Sequence, residues 1–148
     1  IEIADLVLMG PGSLYTSILP NLLIKDIRDA VLRSDAYKVY IMNAMTQPGE
    51  TTGMSAWDHL NVILDHTDPR IVDACFVNTA TIPAAMLQRY AEQGAVPVKL
   101  DIEKIREKGY QIIQGDVLQA GEQVRHDSEL LMKFVLEHYR EHIERTEE

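Results

Sequence analysis

The chain has 148 residues, 46% of them apolar and 25% charged, which suits one globular domain large enough to bury a core. Its 23 acidic residues against 14 lysines and arginines give a net charge of −9 at pH 7. The basic residues are scattered, which argues against nucleic acid or an anionic membrane surface as partner, and the longest apolar runs are strand-sized, too short for a membrane span. No initiator Met precedes Ile1 and a buried-looking strand begins almost at once, so the expectation is a piece of a longer protein whose earlier half is absent.

Ala4 to Met9 predicts the first strand, and it ends in Gly10-Pro11-Gly12-Ser13 before residues that can start a helix. Gly10 and Gly12 permit positive φ and close approach of a ligand to the backbone. Ser13, Thr16 and Ser17 place hydroxyls beside the free N–H groups of a helix start, which suits an anion. A tight strand-to-helix turn explains the same residues without a ligand. The stretch is not a P-loop: no Gly-Lys-Ser/Thr follows, and the G-x-G-x-x-G spacing is absent.

Asp26 to Ser34 predicts a helix with Ile27, Ala30, Val31 and Leu32 inward, and Tyr37 to Met42 a second strand ending at Asn43. The loop Met45 to Gly53 carries Thr46, Gln47, Pro48 and Gly49, after which Ser55 caps a helix with Trp57, Leu60, Ile63 and Leu64. Ile71 to Val77 predicts a third strand ending at Asn78-Thr79 and containing Cys75, the single cysteine. One buried thiol permits no internal disulfide and suits a reducing compartment, so cytoplasm is the expected location. Pro83 opens a helix that Gly94 stops, and Val96 to Leu100 predicts a short fourth strand. Asp101 is expected to cap Ile102 to Lys108, and Tyr110 to Leu118 predicts a strand or a hairpin around Gly115-Asp116. A long amphipathic helix runs from Ser128, capped by Asp127 or Ser128, into a charged end.

Alternating strands and helices with near-continuous apolar strands define an α/β fold: a mainly parallel sheet with helices on both faces. In such a sheet the strand ends share one edge, so Gly10, Pro11, Gly12, Ser13, Thr16, Asn43, Thr46, Gln47 and Asn78 can converge on a ligand. Amides and hydroxyls read phosphates, sugar hydroxyls and base edges, and they are poor acid–base catalysts at neutral pH. The edge therefore reads as a binding surface, with no catalytic residue assigned. Asn43 and Asn78 capping their own loops is the plainer alternative. Arg125 precedes the terminal helix and can fork onto a phosphate, or can simply be solvated.

Other constellations carry less. His138 and His142 lie i, i+4 without a third ligand, so they read as a solvated helix face, and no metal site is assigned. Asp58-His59 and Asp65-His66 have no paired nucleophile, Cys75 has no neighbour that would lower its pKa, and Trp57 and Tyr90 read as packing residues.

Two long motifs go further. Ala4 to Leu23, through Gly10-Pro11-Gly12-Ser13-Leu14-Tyr15-Thr16-Ser17, closely resembles bacterial gluconeogenesis factors of the YvcK type. So does Asn43-Ala44-Met45-Thr46-Gln47-Pro48-Gly49-Glu50-Thr51, followed by Gly53, Asp58 and His59. Asn78-Thr79, Ile82-Pro83, Tyr90 and Val124-Arg125-His126-Asp127 extend the resemblance over essentially the whole chain. These factors share the CofD-like superfamily with transferases that join 2-phospholactate to a nucleotide-activated deazaflavin precursor. The resemblance implies a Rossmann-like core, with residues 1–148 as the C-terminal portion of a single nucleotide-binding domain. It implies a nucleotide sugar such as UDP-N-acetylglucosamine, or another nucleotide such as NAD, as ligand, with no cofactor required. It further implies a role in gluconeogenic growth and in cell shape and wall synthesis.

The chain departs from the transferases at Gly12-Ser13-Leu14-Tyr15, where they resemble Gly-Pro-Ser-Asn-Pro, and at Met45 to Glu50, where they resemble Ser-Pro-Ile. It sides with the gluconeogenesis factors; Met42 in place of a frequent cysteine changes little. A CofD-like transferase acting on a nucleoside diphosphate and a bare protein-interaction module are the alternatives. A homo-oligomer and cell-wall or regulatory protein partners are also expected.

Overall fold

Four short strands, β1 (Leu6–Met9), β2 (Tyr37–Ile41), β3 (Ala74–Asn78) and β4 (Gln111–Gly115), form one fully parallel sheet in the order β1-β2-β3-β4. The register pairs Leu8 with Val39, Tyr40 with Cys75, and Phe76 with Ile113. The computed structural model describes residues 1–119, 121 and 123–146. Six α-helices connect or follow the strands: α1 (Leu19–Leu22), α2 (Lys25–Arg33), α3 (Ala56–His66), α4 (Ala84–Glu92), α5 (Ile102–Glu107) and α6 (Ser128–Thr146). None of the described helices is long and apolar enough to cross a membrane.

Strand side chains alternate between faces, and two cores result. Met9, Tyr40, Met42, Cys75 and Val77 pack with Leu19, Leu22, Val31, Leu60, Ile63 and Ile105 under α1, α2, α3 and α5. Val39, Ile41, Ala74, Phe76 and Ile113 pack with Leu131 and Val135 of α6. Coverage from both sides is why β2 and β3 are apolar almost without interruption. At Gly115 a Cβ would stand 2.7 Å from Phe134 Cδ2, so glycine there lets α6 lie close against the end of β4.

Local chemistry sets most boundaries. Ser55 and Asp58 form a reciprocal capping box on α3: Ser55 Oγ accepts from Asp58 N at 3.3 Å, and Asp58 Oδ2 accepts from Ser55 N at 2.8 Å. The Ser55 N–H holds the Asp58 carboxyl below its ordinary pKa. Asp127 Oδ1 accepts from the N–H groups of Glu129 and Leu130, so Asp127 is the residue that caps α6. Gly94 and Gly109, at φ 78° and 93°, follow the ends of α4 and α5.

Several expectations are corrected. Val96 to Leu100 is not a strand: Pro97 lacks an N–H, and the neighbouring groups bond to loops instead, Val98 N to Ala44 O and Ala56 N to Lys99 O, both at 2.9 Å. Asp101 does not cap α5. Its carboxylate accepts from Ser55 Oγ at 2.7 Å and from Trp57 N at 2.8 Å, so it serves α3. The third strand starts at Ala74, because Asp68 caps a one-turn 3-10 helix over Pro69–Ile71. Of the two alternatives for Tyr110 to Leu118, the strand forms, as β4; beyond it Leu118 makes an isolated antiparallel bridge with His126. His138 and His142 are not a solvated face: Tyr37 Oη lies 3.0 Å from His138 Nε2, and the Tyr37 ring stacks on His142 at 4.2 Å. The charged end expected beyond α6 reaches residues 147–148, outside the described residues.

Cys75 is fully buried and burial pushes its thiol up to about 12. It is therefore expected not to react with a thiol-specific disulfide reagent at pH 8 while the protein is folded, and to react fully in denaturant. Stoichiometric labelling of the native protein is the outcome that this burial forbids.

Candidate functional site at the carboxyl edge of the sheet

Every strand of a parallel sheet releases its chain at the same edge, and the loops that follow β1, β2, β3 and β4 gather there. After β1, Gly10 takes φ 103°, and a Cβ on it would stand 2.8 Å from the Ile41 carbonyl oxygen; the Gly10–Pro11 peptide is cis. Only glycine lets β1 turn this close to the end of β2. Gly12 O then accepts from Asn43 Nδ2 at 3.1 Å, which ties the first two loops together.

Ser13 opens a wide helical turn over Leu14–Ile18 that runs into α1. Its Oγ accepts from Thr16 N at 3.4 Å, and its carbonyl accepts from Ser17 N and Ile18 N at 2.9 Å. Those three N–H groups are engaged by Ser13 itself, so the turn has fewer donors for an anion than the sequence implies. Ser13 Oγ also donates to Glu50 Oε2 at 2.6 Å, which places a carboxylate from the second loop directly at the turn.

Thr46 is buried, and its hydroxyl both donates to Val96 O at 3.1 Å and accepts from Val96 N at 3.0 Å. It stitches the loop after β2 to the chain before α5. Gln47 N donates to Thr51 Oγ1 at 2.8 Å, whereas Gln47 Oε1 is buried with no hydrogen-bond partner among the described residues. Asn78, at the end of β3, accepts from Ala80 N at 2.9 Å through Oδ1, and its Nδ2 is also buried without a partner. Orphaned buried amide atoms are rare and call for an explanation.

Asn43, Thr46 and Gln47 line a recess of about 320 Å³ together with Tyr90, Arg125 and His126. The Gly10–Ser13 turn borders it through the Asn43 contact, and Asn78 sits at the neighbouring strand end without lining it. Arg125 is exposed, but its backbone is held: Arg125 O accepts from Gln119 N at 2.9 Å. Val124 N donates to Tyr90 Oη at 3.0 Å. Tyr90 thus tethers the segment that carries Arg125, a role hidden in the sequence behind its helical, packing-like position. Glu50 and His126 stand in the family motifs but receive no site role from sequence, since Glu50 meets Ser13 and the His126 ring meets Phe76 on distant elements. A larger cleft of about 780 Å³ opens at the opposite edge among Lys38, Arg70, Asp73 and His142. It holds none of the sequence-predicted site residues. Among the described residues no three His, Cys, Asp or Glu side chains cluster as metal ligands would.

Together these features define an α/β protein of the Rossmann-like kind with a polar recess at the carboxyl edge of its sheet. The chain belongs to the CofD family: the family model described as 2-phospho-L-lactate transferase CofD matches residues 1–118. It is similar to the gluconeogenesis factor of Bacillus subtilis (strain 168), with 42% identity over 84% of this chain and 40% of the relative. The gluconeogenesis factor of Halalkalibacterium halodurans is 43% identical over 90% of this chain and 42% of the relative. A crystal structure of a Bacillus halodurans protein superposes with a TM-score of 0.88 at 40% identity, over 91% of this chain and 44% of that one. The chain thus spans less than half the length of these relatives.

Proposed function

We propose that this chain supplies one wall of a nucleotide-sugar site, and that the whole protein is a cytoplasmic regulatory factor supporting gluconeogenic growth and cell-shape and cell-wall homeostasis. The observation that carries this reading is the pair of buried, unpartnered amide atoms, Gln47 Oε1 and Asn78 Nδ2, at the carboxyl edge. A ligand hydroxyl in the recess would satisfy Gln47 Oε1, and a ligand extending from it to the adjoining strand end would satisfy Asn78 Nδ2. Similarity to proteins named gluconeogenesis factors supports the regulatory role. In this arrangement Asn43, Gln47 and Asn78 read sugar or base, Thr46 holds their loop, and Arg125 meets phosphate. The turn of Gly10, Pro11, Gly12 and Ser13, with Thr16 beyond it, receives the pyrophosphate.

Calorimetry of the full-length protein against UDP-N-acetylglucosamine, NAD and GDP, repeated with residues 1–148 alone, tests the reading. Saturable binding of the nucleotide sugar by the full-length protein is expected, and no heat or thermal shift with any of the three would end it. The Glu50 carboxylate must leave Ser13 before a phosphate can approach. Glu50→Gln is therefore expected to bind the nucleotide sugar about tenfold more tightly, roughly 1.4 kcal/mol. Unchanged affinity in the same titration would separate the turn from the phosphate.

A second reading, transfer of a phosphorylated acid to a nucleoside diphosphate, draws on the matched family model. Turnover of a nucleotide substrate with Mg²⁺ by the full-length protein would favour it.

A further inference from the structure

His126 lines the recess beside Arg125, yet no hydrogen bond among the described residues uses its Nε2. The backbone around it is fixed to the chain beyond β4. Arg125 O accepts from Gln119 N at 2.9 Å, His126 bridges Leu118, and Asp127 N donates to Val117 O at 2.7 Å. The imidazole stands edge-on to Phe76 with ring centroids 6.0 Å apart. Its Nε2 is buried and has no partner among the described residues. An apolar ring of the same shape would fill this position at lower cost than an imidazole with an unpaired nitrogen. Burial lowers the His126 pKa, so the ring is neutral at pH 7 and carries one N–H.

Of the other two buried atoms without a partner among the described residues, Gln47 Oε1 belongs to a residue lining the same recess. We propose that His126 and Gln47 act as a reader pair for the hydroxyls of a sugar ring: one ligand hydroxyl donates to Gln47 Oε1, and a second pairs with His126 Nε2, as a hydroxyl can with either tautomer of the neutral ring. The chemistry of the two atoms selects this class. A phosphate or carboxylate offers acceptors only and leaves Gln47 Oε1 unpaired, whereas a hydroxyl can donate to Gln47 Oε1 and can donate to or accept from His126 Nε2. A hydroxyl-bearing ring supplies both. Arg125, adjacent in the chain, is left for phosphate. This inference rests on the nucleotide-sugar reading and adds two specificity-determining side chains to it.

The test is calorimetry of the full-length protein and its His126→Phe and Gln47→Leu variants, with UDP-N-acetylglucosamine and with UDP. Each variant is expected to lose tenfold or more in affinity for the nucleotide sugar while its Tm stays level or rises. A loss confined to UDP-N-acetylglucosamine assigns the pair to the appended sugar, and a loss shared with UDP assigns it to the ribose; either supports the proposal. Gln47 lies on a loop, so its variant keeps the test decisive if His126→Phe does not fold. Wild-type binding that both soluble variants match overturns this inference alone, whereas a wild type that binds neither compound overturns it together with the reading beneath it.

Discussion

Gly10→Ala is expected to destabilise the protein by about 3–5 kcal/mol, a large share of the 5–15 kcal/mol that holds a typical domain together. Two costs combine. The backbone there has φ 103°, outside the regions open to L-residues, which costs about 1–3 kcal/mol. The added Cβ would also stand 2.8 Å from Ile41 O, a main-chain atom of β2 with no rotamer to change. Forcing such overlap costs about 1–3 kcal/mol more and pushes the first two strands apart at the edge where the site lies. Gly49→Ala is the internal control. Gly49 has φ 78°, but a Cβ on it meets nothing within 4 Å, so that variant carries the conformational cost alone, about 1 kcal/mol. Urea denaturation of both variants separates the terms. Equal midpoints would mean that the approach of Gly10 to Ile41 does not matter.

The contrast between these glycines also marks what was legible in the chain. Features written in neighbouring residues were readable: the apolar runs of β2 and β3, the Ser55 cap of α3, and the helix stop at Gly94. The α/β architecture followed, because an apolar strand between helical stretches has few other ways to be buried. Polar side chains with distant partners were not readable. Val124 to Tyr90, Ser13 to Glu50, Ser55 to Asp101 and Thr46 to Val96 are contacts between residues 34, 37, 46 and 50 positions apart. Each reassigns a residue whose local pattern suggested another task. Asp101 looks like the cap of its own helix and caps a different one. Tyr90 looks like packing and holds the arginine segment. Thr46 looks like a ligand contact and fastens its own loop. Asn43, with its side chain on Gly12 O, joins two loops before it meets any ligand.

The same logic bears on how the recess is built. Its walls come from the loop after β2, from α4 through Tyr90, and from the segment leading into α6, so each side chain depends on a different part of the fold. Gly115 admits Phe134 against β4, Asp127 caps α6, and Leu118 bridges His126. Sites held by rigid elements and by second contacts of this kind need less reorganisation when a ligand arrives.

Arg125→Ala is expected to weaken nucleotide-sugar binding by the full-length protein by about 2 kcal/mol, roughly thirtyfold. The magnitude decides what the arginine does. A guanidinium that merely samples phosphate in solvent contributes about 0–1 kcal/mol, whereas one desolvated against its partner costs about 2–5 kcal/mol to remove. The side chain is exposed without ligand, which favours the lower end of the second range. Its root, however, is fixed by the bonds to Gln119 N and from Val124 N to Tyr90 Oη, so little backbone ordering remains to oppose binding. Arg125→Lys keeps the charge but loses the planar fork and is expected to recover only part of the loss. Tyr90→Phe removes the tether and leaves the arginine in place; its loss is expected to be smaller, about 1 kcal/mol, and to vanish when Arg125 is already alanine. That non-additivity is what distinguishes a residue acting through Arg125 from one touching the ligand itself. An Arg125→Ala protein that binds as tightly as wild type removes the arginine from the site, and with it any functional reason for the Tyr90 tether.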